Sequence, residues 1–148
     1  MLKNLSKLGV SLMLSLSVSH AVTVSEVQSF VEDGAILCKE KGNEVCFSEF
    51  NNPKGDFIKG ELYMFAYDYN GINYALGSNP SVEGKNLYKI KDGTGLFIVQ
   101  EFIKIAKNKG SGWLDYKWSH PKTKKLTPKI SYIKSIDGNM LIGAGVYK

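Results

Sequence analysis

The stretch "KGSGWLDYKWSHPKTKKLTPKISYIKSI" (residues 109–136) decides the fold. Period-two alternation puts Leu114, Tyr116 and Trp118 on one face of a strand, and Trp113, Asp115 and Lys117 on the other. After a Lys-rich turn around Ser119-His120-Pro121 the alternation resumes. On this second strand Ile130, Tyr132 and Lys134 oppose Lys129, Ser131 and Ile133. The stretch reads as a hairpin of two strands, 112–118 and 129–136, with aromatic rings on both faces and lysines at its turn. A third strand, 140–147, follows through "DGN".

Working outward, "LFIVQEFIKIAKNKG" ahead of the hairpin is an amphipathic helix. Its apolar stripe is Leu96, Val99, Phe102, Ile103 and Ala106, and Gly110 closes it. Before that lies a loop, residues 78–95, with a turn of helix at "NLYKI". "ELYMFAYDYNGINYALG" gives two more strands around Asn70-Gly71. Tyr63, Phe65 and Tyr67 face one way and Leu62, Met64 and Ala66 the other, as in an interior strand covered on both sides. At the N-terminal end, "VSEVQSFVEDGAILCKEKG" and "NEVCFSEF" have helical periodicity. Helices, two strands, a helix and three strands imply one α+β domain with a five-stranded antiparallel sheet and a long N-terminal helix.

Residues 1–21 have the layout of a secretory signal peptide. Lys3 and Lys7 precede the apolar run "LGVSLMLSLSVS", and cleavage is expected after Ala21. The run is short of the roughly 20 apolar residues a membrane span needs. The expected mature chain, 22–148, is exported to the periplasm. It has 17 lysines, no arginine and 14 acids, a net charge of +3. The charge is polarised, −6 over residues 22–84 and +9 over 85–148. Without the arginine fork that reads phosphates and guanine edges, nucleic acid is not an expected partner.

Cys38 and Cys46 are the only cysteines. Export permits a disulfide, but eight residues of unbroken helix span about 12 Å, too far for a bond. A break at Lys41–Asn43 would bring them closer, so spacing leaves the bond open. His120 is the one histidine outside the leader. No second histidine completes a metal set or serves a nucleophile, and the acids show no pairing. The expectation is a protein that is no enzyme and carries no cofactor.

Aromatic rings beside a lysine suit a small anionic or zwitterionic ligand, because the rings exclude water and the ammonium acts in a less screened place. Such rings, Trp113 and Trp118 among them, more often form solid core than ligand walls, and Lys129 is solvated unless its strand face turns inward.

Five motifs together resemble the single Cache domain family, type 2. They are Tyr-x-Phe-x-x-Asp-x-x-Gly on Tyr63–Gly71, Gly-Lys-Asn-Leu on Gly84–Leu87 and Gly-x-Gly-Trp-x-x-Tyr-x-Trp on Gly110–Trp118. Pro-Lys-x-x-Tyr on Pro128–Tyr132 and Gly-x-Gly-x-Tyr on Gly143–Tyr147 complete the set. The resemblance implies a PAS-like sheet beside a long helix. It also implies an extracytoplasmic sensing role, as in chemotaxis receptors and other signal-transduction proteins. A small organic ligand, often a carboxylate, would lie between the sheet and residues 78–95. Carried over, it makes Tyr67, Tyr116, Trp118, Lys129 and Tyr132 candidate ligand-binding residues. Many relatives have Ala-His where this sequence reads Ala75-Leu76, which implies the loss of one polar contact. With the last motif ending at Tyr147, the expectation is a module without its own output domain. It would hand its ligand-bound form to a membrane receptor or other periplasmic protein. The competing reading is a structural or protein-interaction module with a filled pocket.

Overall fold

The computed structural model describes Ser15 and residues 20–148. The expected leader therefore lies outside the described residues, except for Ser15, His20 and Ala21. The elements run α1 (Val24–Lys41), α2 (Asn43–Phe50), β1 (Ile58–Lys59), β2 (Leu62–Asp68) and β3 (Asn73–Leu76). Next come a 3-10 turn (Pro80–Val82), α3 (Ile98–Lys109), β4 (Ser111–Ser119), β5 (Leu126–Ser135) and β6 (Met140–Tyr147). All strand pairings are antiparallel. The sheet order is β1-β2-β6-β5-β4, and β3 also pairs with β2. This is the expected α+β fold: five main strands, a long N-terminal helix, and a two-residue strand too short to show periodicity. No helix among the described residues is long and apolar enough to cross a membrane.

The alternation read in β2 sorts the molecule into two layers. Leu62, Met64 and Ala66 pack with Val27, Val31 and Phe50 beneath α1 and α2. Tyr63, Phe65 and Tyr67 pack with Ile98, Val99 and Phe102 beneath α3. Each large apolar side chain buried this way contributes roughly 1.5–3 kcal/mol. Thr23 starts α1 with a capping box. Its hydroxyl accepts from the Glu26 amide, and the Glu26 carboxylate accepts from the Thr23 amide. Gly42, at φ 82°, breaks the helical run between α1 and α2. The break brings the Cα atoms of Cys38 and Cys46 within 4.9 Å, and a disulfide joins them.

The β2–β3 turn places Gly71 at φ 88° against the backbone of Tyr88, where a side chain would collide. That contact holds residues 78–95 along the sheet edge. Asp92 fixes the far end of the same segment. Its Oδ1 accepts from the Thr94 amide and hydroxyl and the Leu96 amide, and its Oδ2 from the Lys117 amide on β4.

β5 starts at Leu126, earlier than the sequence suggested. Pro128 lacks an N–H to donate, but it sits where β5 runs past Tyr147, the last residue of β6.

Candidate ligand-binding site

Four of the five expected site residues converge beneath α3. Tyr67, Tyr116, Trp118 and Lys129 line one cavity with Phe65 and Phe102. The register explains it: Tyr116 on β4 stands directly opposite Lys129 on β5, and Lys129 opposite Tyr147 on β6. Tyr132 is placed elsewhere. It lies on the other face of β5, under α1, with its ring centroid 5.1 Å from that of Trp113. Its hydroxyl donates to Glu32.

Lys129 is not at the rim of the aromatic wall. It is 2% exposed, among the most completely buried large side chains of the molecule. Its Nζ donates to the Tyr63 hydroxyl at 3.0 Å and lies 4.2 Å from the Tyr63 ring centroid and 4.9 Å from that of Tyr147. Among the described residues no carboxylate pairs with it. Burial pushes its pKa down and the Tyr63 phenol pulls it partly back. An amine buried without a counter-anion is costly, which makes this position the conspicuous unfinished feature of the core.

The polar groups around Lys129 form a line with a defined direction. Tyr147 donates its one proton to the Ser119 carbonyl at 2.9 Å. The 2.8 Å contact between the Tyr63 and Tyr147 hydroxyls must then be donated by Tyr63. The order is Lys129 to Tyr63 to Tyr147 to the Ser119 carbonyl. The Tyr116 hydroxyl is bonded to the Ser131 hydroxyl at 2.9 Å, and burial raises its pKa.

The rings nearly fill the space. Phe65 and Phe102 are stacked with centroids 4.9 Å apart, and Tyr116 meets Phe102 edge-on at 5.4 Å. The remaining void is about 10 Å³, the room one water needs. Leu76 and Trp118 form its outer wall. They are also the inner wall of an open groove of about 570 Å³ floored by Val82, Leu87, Ile90 and Leu126. Residues 78–95 form one side of this groove, and β4 and the β4–β5 turn form the other.

A family model described as Cache domain (dCache_2) matches residues 49–148. The chain belongs to the Cache domain family. This Cache domain is 35% identical over 86 residues to the sensor histidine kinase MctS of Rhizobium johnstonii, covering 57% of this chain and 18% of the kinase. It is 30% identical over 71 residues to the methyl-accepting chemotaxis protein McpP of Pseudomonas putida, covering 47% of this chain and 13% of McpP. The matches thus span less than a fifth of either relative. Among solved structures, a methyl-accepting chemotaxis protein from Vibrio parahaemolyticus superposes with a TM-score of 0.71 at 27% identity. That match covers 83% of this chain and 86% of the other. A structure described as "Structural basis for carboxylic acid recognition by a Cache chemosensory domain" gives a TM-score of 0.66 at 23% identity. It covers 81% and 84% of the two chains and shows likeness of fold.

Sequence reasoning passed over Tyr63, Phe65, Phe102 and Tyr147 as site residues. For Tyr63 and Phe65 the signal was present, since they alternate in phase with Tyr67. Phe102 lies on the apolar stripe of α3. Tyr147 reaches Lys129 through strand register, which the sequence alone does not fix. Among the described residues, no group of three His, Cys, Asp or Glu side chains could hold a metal ion.

Proposed function

We propose that this Cache domain is an extracytoplasmic sensor module that takes a small monocarboxylate at Lys129. The observation that carries the reading is the buried amine itself, with the Tyr63 hydroxyl as its hydrogen-bond partner and no carboxylate paired with it among the described residues. A ligand carboxylate supplies the missing anion, and Tyr67, Tyr116 and Trp118 enclose its apolar part. The wall holds no acid to receive an α-ammonium group, so the chemistry favours simple acids over amino acids. The sensing and chemotaxis proteins among the relatives support the role, and the "SHA" site ending at Ala21 supports export. A membrane receptor or another periplasmic protein would receive the signal. With only about 10 Å³ of free space, ligand entry requires the rings beneath α3 to part. Binding and rearrangement are then one event, as sensing needs.

A second reading is favoured by the same small void: the pocket is permanently filled and the domain serves protein interaction. One experiment separates the two. Melting temperature and calorimetric heat are measured against acetate, propionate, succinate, glycine and alanine. The sensor reading expects a response to the monocarboxylates that Lys129→Met abolishes. Indifference to every compound would favour the filled-pocket module.

A further inference from the structure

The hydrogen-bond line from Lys129 ends at the Ser119 carbonyl, in the last β4–β5 pair, and the next residue is His120. The His120 side chain is only 12% exposed. Its Nδ1 accepts from the Lys122 amide at 3.1 Å and the Thr123 amide at 3.3 Å, so the ring proton sits on Nε2. Nε2 lies 3.1 Å from a Glu61 carboxylate oxygen, which Lys122 Nζ also approaches at 3.8 Å. The ring centroid is 4.8 Å from that of Tyr147. The charged and titratable groups facing the ring are thus Glu61 from the turn between β1 and β2, Lys122 from its own turn and Tyr147 from β6. Tyr147 is touched twice here, through its ring by His120 and through its hydroxyl by the Ser119 carbonyl.

The turn after β4 depends on that ring. Its backbone closes through the Lys124 amide to the His120 carbonyl and the His120 amide to the Lys125 carbonyl, both at 2.9 Å. Lys124 has φ 61°, the only positive value outside glycine among the described residues, and such a conformation needs support. The two bonds accepted by Nδ1 supply it. Imidazole is the one side chain whose ordinary titration falls between about pH 5 and 8. Once protonated, it has an N–H on each nitrogen and no acceptor. Its Nε2–H would still meet Glu61, but Nδ1–H would face the Lys122 and Thr123 amides, donor against donor. The turn then has to rearrange, and the Ser119 carbonyl adjoins it.

We propose that His120 is a pH-operated latch on the inner site. With the ring neutral, the Ser119 carbonyl holds the Tyr147 proton, and Tyr63 and Tyr147 both donate outward. With the ring protonated, the turn releases that carbonyl. Tyr147 then donates to Tyr63, and the Tyr63 proton turns inward to a ligand carboxylate beside the Lys129 ammonium. The proton that drives the change comes from solvent and stays on Nδ1, and no covalent bond between heavy atoms changes. Acid therefore favours the bound state, and binding in turn draws a proton onto His120. The inference rests on the carboxylate reading of Lys129 and adds its regulation.

Acetate affinity is measured calorimetrically at about pH 5.5, where acetate is still mostly ionised, and at about pH 8. The parent should bind about five- to tenfold more tightly at the lower pH, the net worth of one hydrogen bond. His120→Asn offers its Oδ1 to the same amides and does not titrate, so the latch stays closed and this gain should disappear. Any slope left in that variant belongs to Lys129. His120→Gln keeps a donor for Glu61 but has no acceptor close to the backbone, so it should bind acetate tightly at both pH values. In the ligand-free parent, an NMR titration should move the Ser119 carbonyl and Tyr63 ring resonances with the midpoint of His120, and His120→Asn should remove that movement. Tyr63 resonances that ignore His120 would overturn the latch. So would acetate binding in His120→Asn that is as pH-dependent as in the parent. If acetate binds at neither pH, the Lys129 reading fails and the NMR titration alone decides the latch.

Discussion

The two faces of the sheet solve the same packing problem differently. Under α1 and α2 the core is apolar and cross-linked: Val27, Val31, Phe50, Met64 and Ile142 are completely buried, and the Cys38–Cys46 disulfide ties the two helices. Under α3 the same strands bury phenols and an amine among their rings. One face is a finished core. The other retains an electrostatic debt and a void beside it. Natural sequences place such locally unfavourable choices where function requires them.

Three substitutions break or sharpen that contrast. The largest loss of stability is expected on the finished face. Replacing Cys38 and Cys46 together by serine removes a cross-link spanning eight residues and should cost about 2–3 kcal/mol, read from chemical denaturation. Ligand response should persist, since the cavity lies on the other side of the sheet.

Lys129→Met should act in the opposite direction. Removing a buried amine without a counter-anion should stabilise the ligand-free protein by roughly 1–2 kcal/mol while abolishing recognition. The gain depends on pH with a definite sign. Burial holds the folded pKa below the ordinary 10.5, despite the opposing pull of Tyr63. Between the folded value and 10.5 the unfolded chain binds more protons, so the parent protein gains stability as pH rises. The advantage of Lys129→Met over the parent should therefore shrink as pH climbs toward 10.5, in paired denaturation curves.

Asp92→Asn bears on the acid side of the stability profile. Burial alone would raise this carboxyl, but hydrogen bonds from Thr94, then from the Leu96 and Lys117 amides, outweigh it and pull the pKa from 3.8 to about 2. The stabilising contribution is complete above pH 3.8 and disappears as pH falls through about 2. The parent should lose stability across that window, and the variant should lack that part of the slope. Equal acid profiles would show that the clamp on residues 78–95 is energetically silent.

Much of this contrast was legible in the sequence, because alternation is a local property. Leu62 to Tyr67 announced a strand covered on both sides, and Leu114, Tyr116 and Trp118 were correctly put on one face. Alternation also put Tyr132 opposite Lys129, so motif resemblance alone had grouped residues that the sheet separates. The depth of Lys129 was not legible. It depends on α3 and Tyr147 closing over β5, which are contacts made through register and packing. The disulfide was open for the same reason: it turns on the backbone at Gly42, and spacing alone cannot give that angle.

The line from Lys129 through Tyr63 and Tyr147 to the Ser119 carbonyl has a consequence for what kind of atom the inner site will accept. Every proton along it is already assigned in one direction, so Tyr63 has no hydrogen left to offer inward. When protonated, the amine turns only N–H groups toward a visitor, and it has no lone pair to give. An alcohol or amide that needs to donate at that spot is turned away, while an oxygen rich in lone pairs completes the circuit. Chemical selectivity at the innermost point is thus set by hydroxyl orientation outside it, ending at a backbone carbonyl on β4.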